Sequence, residues 1–259
     1  MSTPAVTPAN TLWNKVPEVT LVFWIIKIMA TTVGETAADF LNVNLQLGLS
    51  GTSIVTGALL LVALVFQMRA RRHVPALYWL VVVLISIFGT LLTDNLVDNL
   101  GVAMSTITAL FSACLLATFA LWYARERTLS IHEVDSLPRE SFYWAAILFT
   151  FALGTAAGDL MAEGLQWGYG LSALLFGGAI ASVTLAWYRF RLNPVLAFWI
   201  AYVLTRPFGA SCGDLLSQPV ANGGLGLGTV NTSAMFLAAI LFLVSYLAVQ
   251  GRQGRKVGP

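Results

Sequence analysis

Charge is what this sequence has least of. Asp, Glu, Lys and Arg make up 10% of its 259 residues, against roughly 25% in soluble domains, while hydrophobic residues reach 58% against roughly 45–50%. Such a chain cannot clothe a water-facing surface, so an ordinary soluble protein is excluded. Thiols are scarce too. Cys114 falls inside an apolar run and Cys212 at the end of another, which leaves no disulfide framework and no argument about redox compartment. Cys114 reads as a small packing residue. His73 and His132 lie outside the runs, which excludes a soft-metal cage. No basic stretch followed by an apolar core opens the chain, so a cleaved signal peptide is not expected and the first apolar run should direct insertion. Residues 223–228 are glycine-rich, but no Gly-Lys-Ser/Thr follows them, and neither HExxH nor a catalytic triad is found. No enzymatic activity is therefore expected. The basic residues form no soluble cluster, so nucleic acid is not an expected partner.

Long apolar runs are abundant. A hydrocarbon core about 30 Å thick needs roughly 20 apolar residues per helix. Eight such runs occur, near Val19–Ala38, Thr52–Met68, Ala76–Leu92, Ala103–Tyr123, Phe142–Ala157, Leu171–Tyr188, Pro194–Ser211 and Val230–Val249. Within them one motif repeats without a gap: Trp24, Gly34 and Asp39; Trp79, Gly89 and Asp94; Trp144, Gly154 and Asp159; Trp199, Gly209 and Asp214. Ten positions separate Trp from Gly and five separate Gly from Asp in every copy. The chain therefore reads as repeats over 17–70, 71–125, 142–190 and 191–250, with tails at 1–16 and 251–259 and a charged linker at 126–141, the expected hinge between two halves.

Orientation follows from the loops. Arg69, Arg71 and Arg72, then Arg125, Arg127 and Arg139, then Arg189 and Arg191, then Arg252, Arg255 and Lys256 all mark one side. The opposite loops, 42–50, 95–101, 160–170 and 215–228, contain no Lys or Arg. The positive-inside rule predicts both termini in the cytoplasm. Two helices per repeat give every repeat the same direction, so the repeats are parallel, one of the arrangements found in transporters. The expected fold is an all-α polytopic membrane protein of eight transmembrane helices in four parallel two-helix repeats.

Each Asp lies roughly 22 Å along its helix from the Trp at 1.5 Å per residue, near the far side. A carboxylate there is costly against lipid and is expected to face the bundle or water; capping a following turn is the alternative. Steps of four residues share a helix face, which groups Thr31-Glu35-Asp39, Ser86-Thr90-Asp94-Asp98, Thr155-Asp159-Glu163 and Arg206-Ala210-Asp214-Gln218. Converging carboxylates would offer hard oxygen ligands suited to Mg²⁺, Ca²⁺ or Mn²⁺. Asp39, Asp94, Asp159, Asp214 and Glu35 are the candidate cation ligands, the four Asp as metal ligands, with Arg206, Asp98 and Glu163 modulating them. Arg206 could pair with a carboxylate as a built-in competing cation, lock the seventh helix as a structural ion pair, or reorganise where Pro207 breaks that helix. Lys27 is expected to snorkel toward the cytoplasmic edge. The four Trp are expected in an interfacial aromatic belt, and the glycines to permit close helix approach.

With these units laid out, the chain resembles a family of bacterial membrane proteins built of four tandem two-helix repeats with a characteristic Trp, catalogued as a repeat of unknown function. The resemblance spans about residues 17–250 and rests on the Trp, Gly and Asp positions just named. It implies the architecture and no activity. Lys27, Glu35 and Arg206-Pro207 depart from strict repetition and imply unequal quadrants. The residues lead to an expectation of a bacterial inner-membrane transporter of a divalent cation, Mn²⁺ first, with no tightly bound cofactor. Clustered carboxylates also allow proton exchange for the metal. The lipid bilayer and the small cation are the expected partners, with a homo-oligomer left open. A carrier of an organic cation or polyamine, or a non-transporting scaffold or sensor, is the alternative.

Overall fold

The structure is a computed structural model that describes residues 14–44 and 47–254. Expectations placed on 1–13, 45–46 and 255–259, Arg255 and Lys256 among them, lie outside the described residues. Eight α-helices account for almost all of it: α1 Leu21–Asp39, α2 Gly48–Arg69, α3 Pro75–Asp94, α4 Met104–Glu126, α5 Leu137–Asp159, α6 Gly168–Phe190, α7 Pro194–Ser217 and α8 Thr229–Gly254. Among the described residues, eight helices are long and apolar enough to cross a membrane.

Helices α1 and α7 begin where the sequence supplies side-chain caps. Thr20 accepts from the Phe23 amide at 3.3 Å, and Asn193 accepts from Val195 and Leu196 at 2.9 and 3.2 Å, satisfying amides that a first helical turn leaves open. Pro75, Pro138 and Pro194 stand in the first turns of α3, α5 and α7, where the missing N–H costs nothing. The apolar runs end at Ala38, Leu92, Ala157 and Ser211, but the helices continue through Asp39, Asp94, Asp159 and Asp214. Hydropathy falls at a carboxylate, whereas the backbone ladder does not. In the first three repeats a π-helical turn follows the Asp directly, over Phe40–Asn44, Asn95–Asn99 and Leu160–Gly164. In the fourth, Pro219 holds Gln218 extended, with ψ 150°, and α7 stops.

The odd helices form a closed inner ring: α1 packs on α3, α3 on α5, α5 on α7, and α7 back on α1. Each even helix covers the odd helix of the next repeat, α2 on α3, α4 on α5, α6 on α7 and α8 on α1. The even helices are consequently about one-fifth buried and the odd ones half or more. Gly57 of α2 receives the Phe88 ring, and Gly177 of α6 the Phe208 ring.

At the ring's basic end Trp79, Trp144 and Trp199 are buried, and Trp24 half-buried. They interlock with Phe23, Tyr78, Tyr143 and Phe198 at centroid separations of 5.1 to 6.3 Å. The interfacial belt expected from sequence is therefore corrected for Trp79, Trp144 and Trp199, whose indoles are buried among the helices, while Trp24 keeps a partly exposed face. Trp199 Nε1 donates to Leu129 O at 3.0 Å, and the linker buries Ile131 and Val134 beneath it. Lys15 Nζ reaches Glu140 Oε2 at 2.6 Å on the same side.

Candidate functional site

Looking along each odd helix from its Asp toward the aromatic end, the residues inside the ring come in steps of four. The first step holds Glu35, Thr90, Thr155 and Ala210; the second holds Thr31, Ser86, Phe151 and Arg206; the third holds Lys27, Val82, Ile147 and Tyr202. Of these, all but Val82, Ile147, Phe151 and Ala210 carry polar groups, and all twelve are buried.

The ring closes at the glycines by one rule applied four times. A Cβ on Gly34 would overlap Ser86 Oγ, one on Gly154 would overlap Arg206 Cγ, and one on Gly209 would overlap Thr31 Oγ1; on Gly89 it would meet Phe151 Cβ at 3.0 Å. Each glycine thus accepts the residue eight before the Asp of the next repeat, and the fourth repeat returns to the first. Two hydroxyls bind the seam between α1 and α7: Thr31 Oγ1 donates to Thr205 O at 3.3 Å, and Thr32 Oγ1 to Gly209 O at 3.0 Å.

Arg206 is the departure from this symmetry that matters most. Its side chain is wholly buried, and its guanidinium crosses the ring to the other three helices. Nη2 lies within hydrogen-bonding distance of three oxygens, Glu35 Oε2 at 2.9 Å, Thr155 Oγ1 at 2.7 Å and Thr90 Oγ1, and shares its two hydrogens among them, while Nη1 reaches Thr31 O at 3.4 Å. Glu35, Thr90 and Thr155 all stand four residues before their Asp, so one cation gathers the same position of three repeats. The fourth repeat has Ala210 there, small enough to leave room. Nε is buried without a partner among the described residues. The helix break expected at Pro207 is corrected: α7 runs on from Pro194 to Ser217, and Pro207 packs over Gly154 and Gly158 instead.

Lys27 is also wholly buried, which corrects the expectation that it snorkels. Nζ donates to Thr205 Oγ1 at 3.2 Å and lies 4.3 and 4.2 Å from the centroids of Phe151 and Tyr202, a cation–π cradle. Farther down, the Tyr78 and Tyr143 hydroxyls meet at 2.6 Å.

On the other side of the guanidinium, Glu35, Asp159 and Asp214 each offer an oxygen within 4.8 Å of the others. Asp39 and Asp94 are half-buried nearby but outside that group. Asp94 feels the charges of Glu35, Asp39 and Arg206, and Asp39 accepts from Gln218 Nε2 at 3.4 Å. Asp98 and Glu163 are exposed on the π turns; Glu163 accepts from Tyr169 at 3.0 Å and bears electrostatically on Asp159 and Asp214. Among the described residues, Asp94 and Asp159 make no side-chain capping bond at the turns they precede. Of the five carboxylates proposed as ligands from sequence, the structure joins three and sets two at their edge. The hydroxyl ring of Thr90 and Thr155 was marked only as part of two polar faces; its equivalence to Glu35 could have been read from the repeat alignment.

Fold and site together define a polytopic helical membrane protein whose four parallel repeats enclose a polar axis. The chain belongs to the family described as Repeat of Unknown Function (DUF347), whose repeats match residues 22–73, 77–128, 142–193 and 197–253. No curated protein and no solved structure matches it.

Proposed function

We propose that this protein is a transporter of a divalent metal cation, Mn²⁺ first, in a bacterial inner membrane, and that Glu35, Asp159 and Asp214 bind the cation. The observation that carries this reading is the convergence of three carboxylate oxygens within 4.8 Å inside a helical bundle. Carboxylate oxygen is the ligand type that Mg²⁺, Ca²⁺ and Mn²⁺ favour. Charge points to a dication: the three carboxylates, ionised, against the Arg206 guanidinium leave two negative charges. Asp39, Asp94, Asp98 and Glu163 would line the approach and attract the ion, and the carboxylates would exchange protons against it.

Thermal unfolding of the detergent-purified protein, scanned over Mn²⁺, Mg²⁺, Ca²⁺, Fe²⁺ and Zn²⁺, tests the binding step. A bound ion at one hundred times its Kd adds about 2.7 kcal/mol of stability. Mn²⁺ should stabilise the protein, Asp159→Asn and Asp214→Asn should abolish the effect, and Asp98→Asn should keep it. Absence of any metal effect would reject the reading. Stabilisation by an organic amine alone would select the polyamine carrier, and loss of stability in the Asn variants without any ion phenotype would select the scaffold.

A further inference from the structure

We propose that Arg206 is the gate of the axial path: a resident cation that plugs the ring between the carboxylate site and Lys27. This rests on the transport reading above and names the part of the same path that must move. Glu35 belongs to both sides of the contact, accepting from Arg206 at 2.9 Å while contributing an oxygen to the three-carboxylate group. A cation that takes Glu35 therefore competes with the guanidinium for it. The plug is held from every quadrant, by Glu35 and Thr31 O of α1, Thr90 of α3 and Thr155 of α5, while its own backbone is on α7. Its stem lies against Gly154, where no side chain could stand. The other three copies of this position carry Thr31, Ser86 and Phe151, and the one guanidinium already reaches all three of their helices. When Glu35 is released, the neutral oxygens of Thr31, Thr90 and Thr155 cannot balance a buried guanidinium's charge, and Arg206 must leave the axis.

The test reads access past the plug and not transport. In a background with Cys114→Ala and Cys212→Ala, Val82→Cys places a thiol on α3 four residues beyond Ser86, at a wholly buried position. Reconstituted protein is exposed on its acidic face to a membrane-impermeant cationic methanethiosulfonate. The thiol should stay protected with Arg206 in place and become labelled in Arg206→Gln. Thr90→Val with Thr155→Val, which removes two holds without changing charge, should label at an intermediate rate and decides the matter if Arg206→Gln fails to fold. Protection of Val82→Cys in variants that keep a monodisperse, cooperatively unfolding state would overturn the gate and leave Arg206 a structural ion pair. Labelling in Arg206→Gln together with no metal effect on the parent protein would keep the gate and remove the metal as its cargo.

Discussion

Arg206 and Glu35 form a buried pair with side-chain exposures of 0% and 9%, and such a pair is worth less than the damage done by breaking it. Glu35→Gln removes the carboxylate that balances the guanidinium in its place on the axis, so a loss of about 3–5 kcal/mol is expected. Glu35→Gln combined with Arg206→Gln should recover part of that loss. Chemical or thermal unfolding of the two single variants and the double variant, read as a cycle, measures it; additive losses would show that the pair is not coupled. Both residues could be singled out from sequence as charges present in one repeat each. Their partnership could not, because they are 171 positions apart and four-residue spacing gives a helix face without saying which faces meet. Lys27 carries the same lesson: a charge near a helix start reads as interfacial until the Phe151 and Tyr202 rings are seen to enclose it.

Among the elements, the glycine of each odd helix sets how near the next repeat can come. At Gly154 the neighbours are the stem of Arg206 and the ring of Pro207. Gly154→Ala should displace α7 and cost about 1–3 kcal/mol, as overpacking does. Gly178→Ala in α6, where an added Cβ meets nothing within 4 Å, should be neutral or stabilising by up to about 1 kcal/mol. Unfolding midpoints of the two variants compare them directly, and equal effects would refute the packing rule. The recurring glycine of each odd helix was visible in the sequence and its use in close approach predictable. The π turns after Asp39, Asp94 and Asp159 were not, since an extra residue in a helical turn leaves no hydropathy signal; only Pro219 in the fourth repeat marks where the turn is forbidden.

For the whole molecule, the distribution of Arg sets a direction that the bundle geometry does not. In the same cysteine-free background, Ala221→Cys on an exposed acidic-face turn should react with an impermeant maleimide added to intact cells, and Arg72→Cys on the opposite face only after permeabilisation. The reverse pattern would turn the carboxylate mouth toward the cytoplasm. The number of helices, their parallel repetition and the position of every Asp were determined by the sequence alone, because length, hydropathy and spacing are local properties of the chain. Tertiary structure decided three things: that the ring closes by setting the residue eight before each Asp against the preceding repeat's glycine, that three of the four Trp are buried among the helices, and that Glu35, Asp159 and Asp214 converge while Asp39 and Asp94 stand aside. The four motif copies and the lone Glu35 and Arg206 predict unequal quadrants without saying which carboxylates come together. One guanidinium is drawn to the one Glu on the axis, and such a choice among partners exists only once the helices are packed.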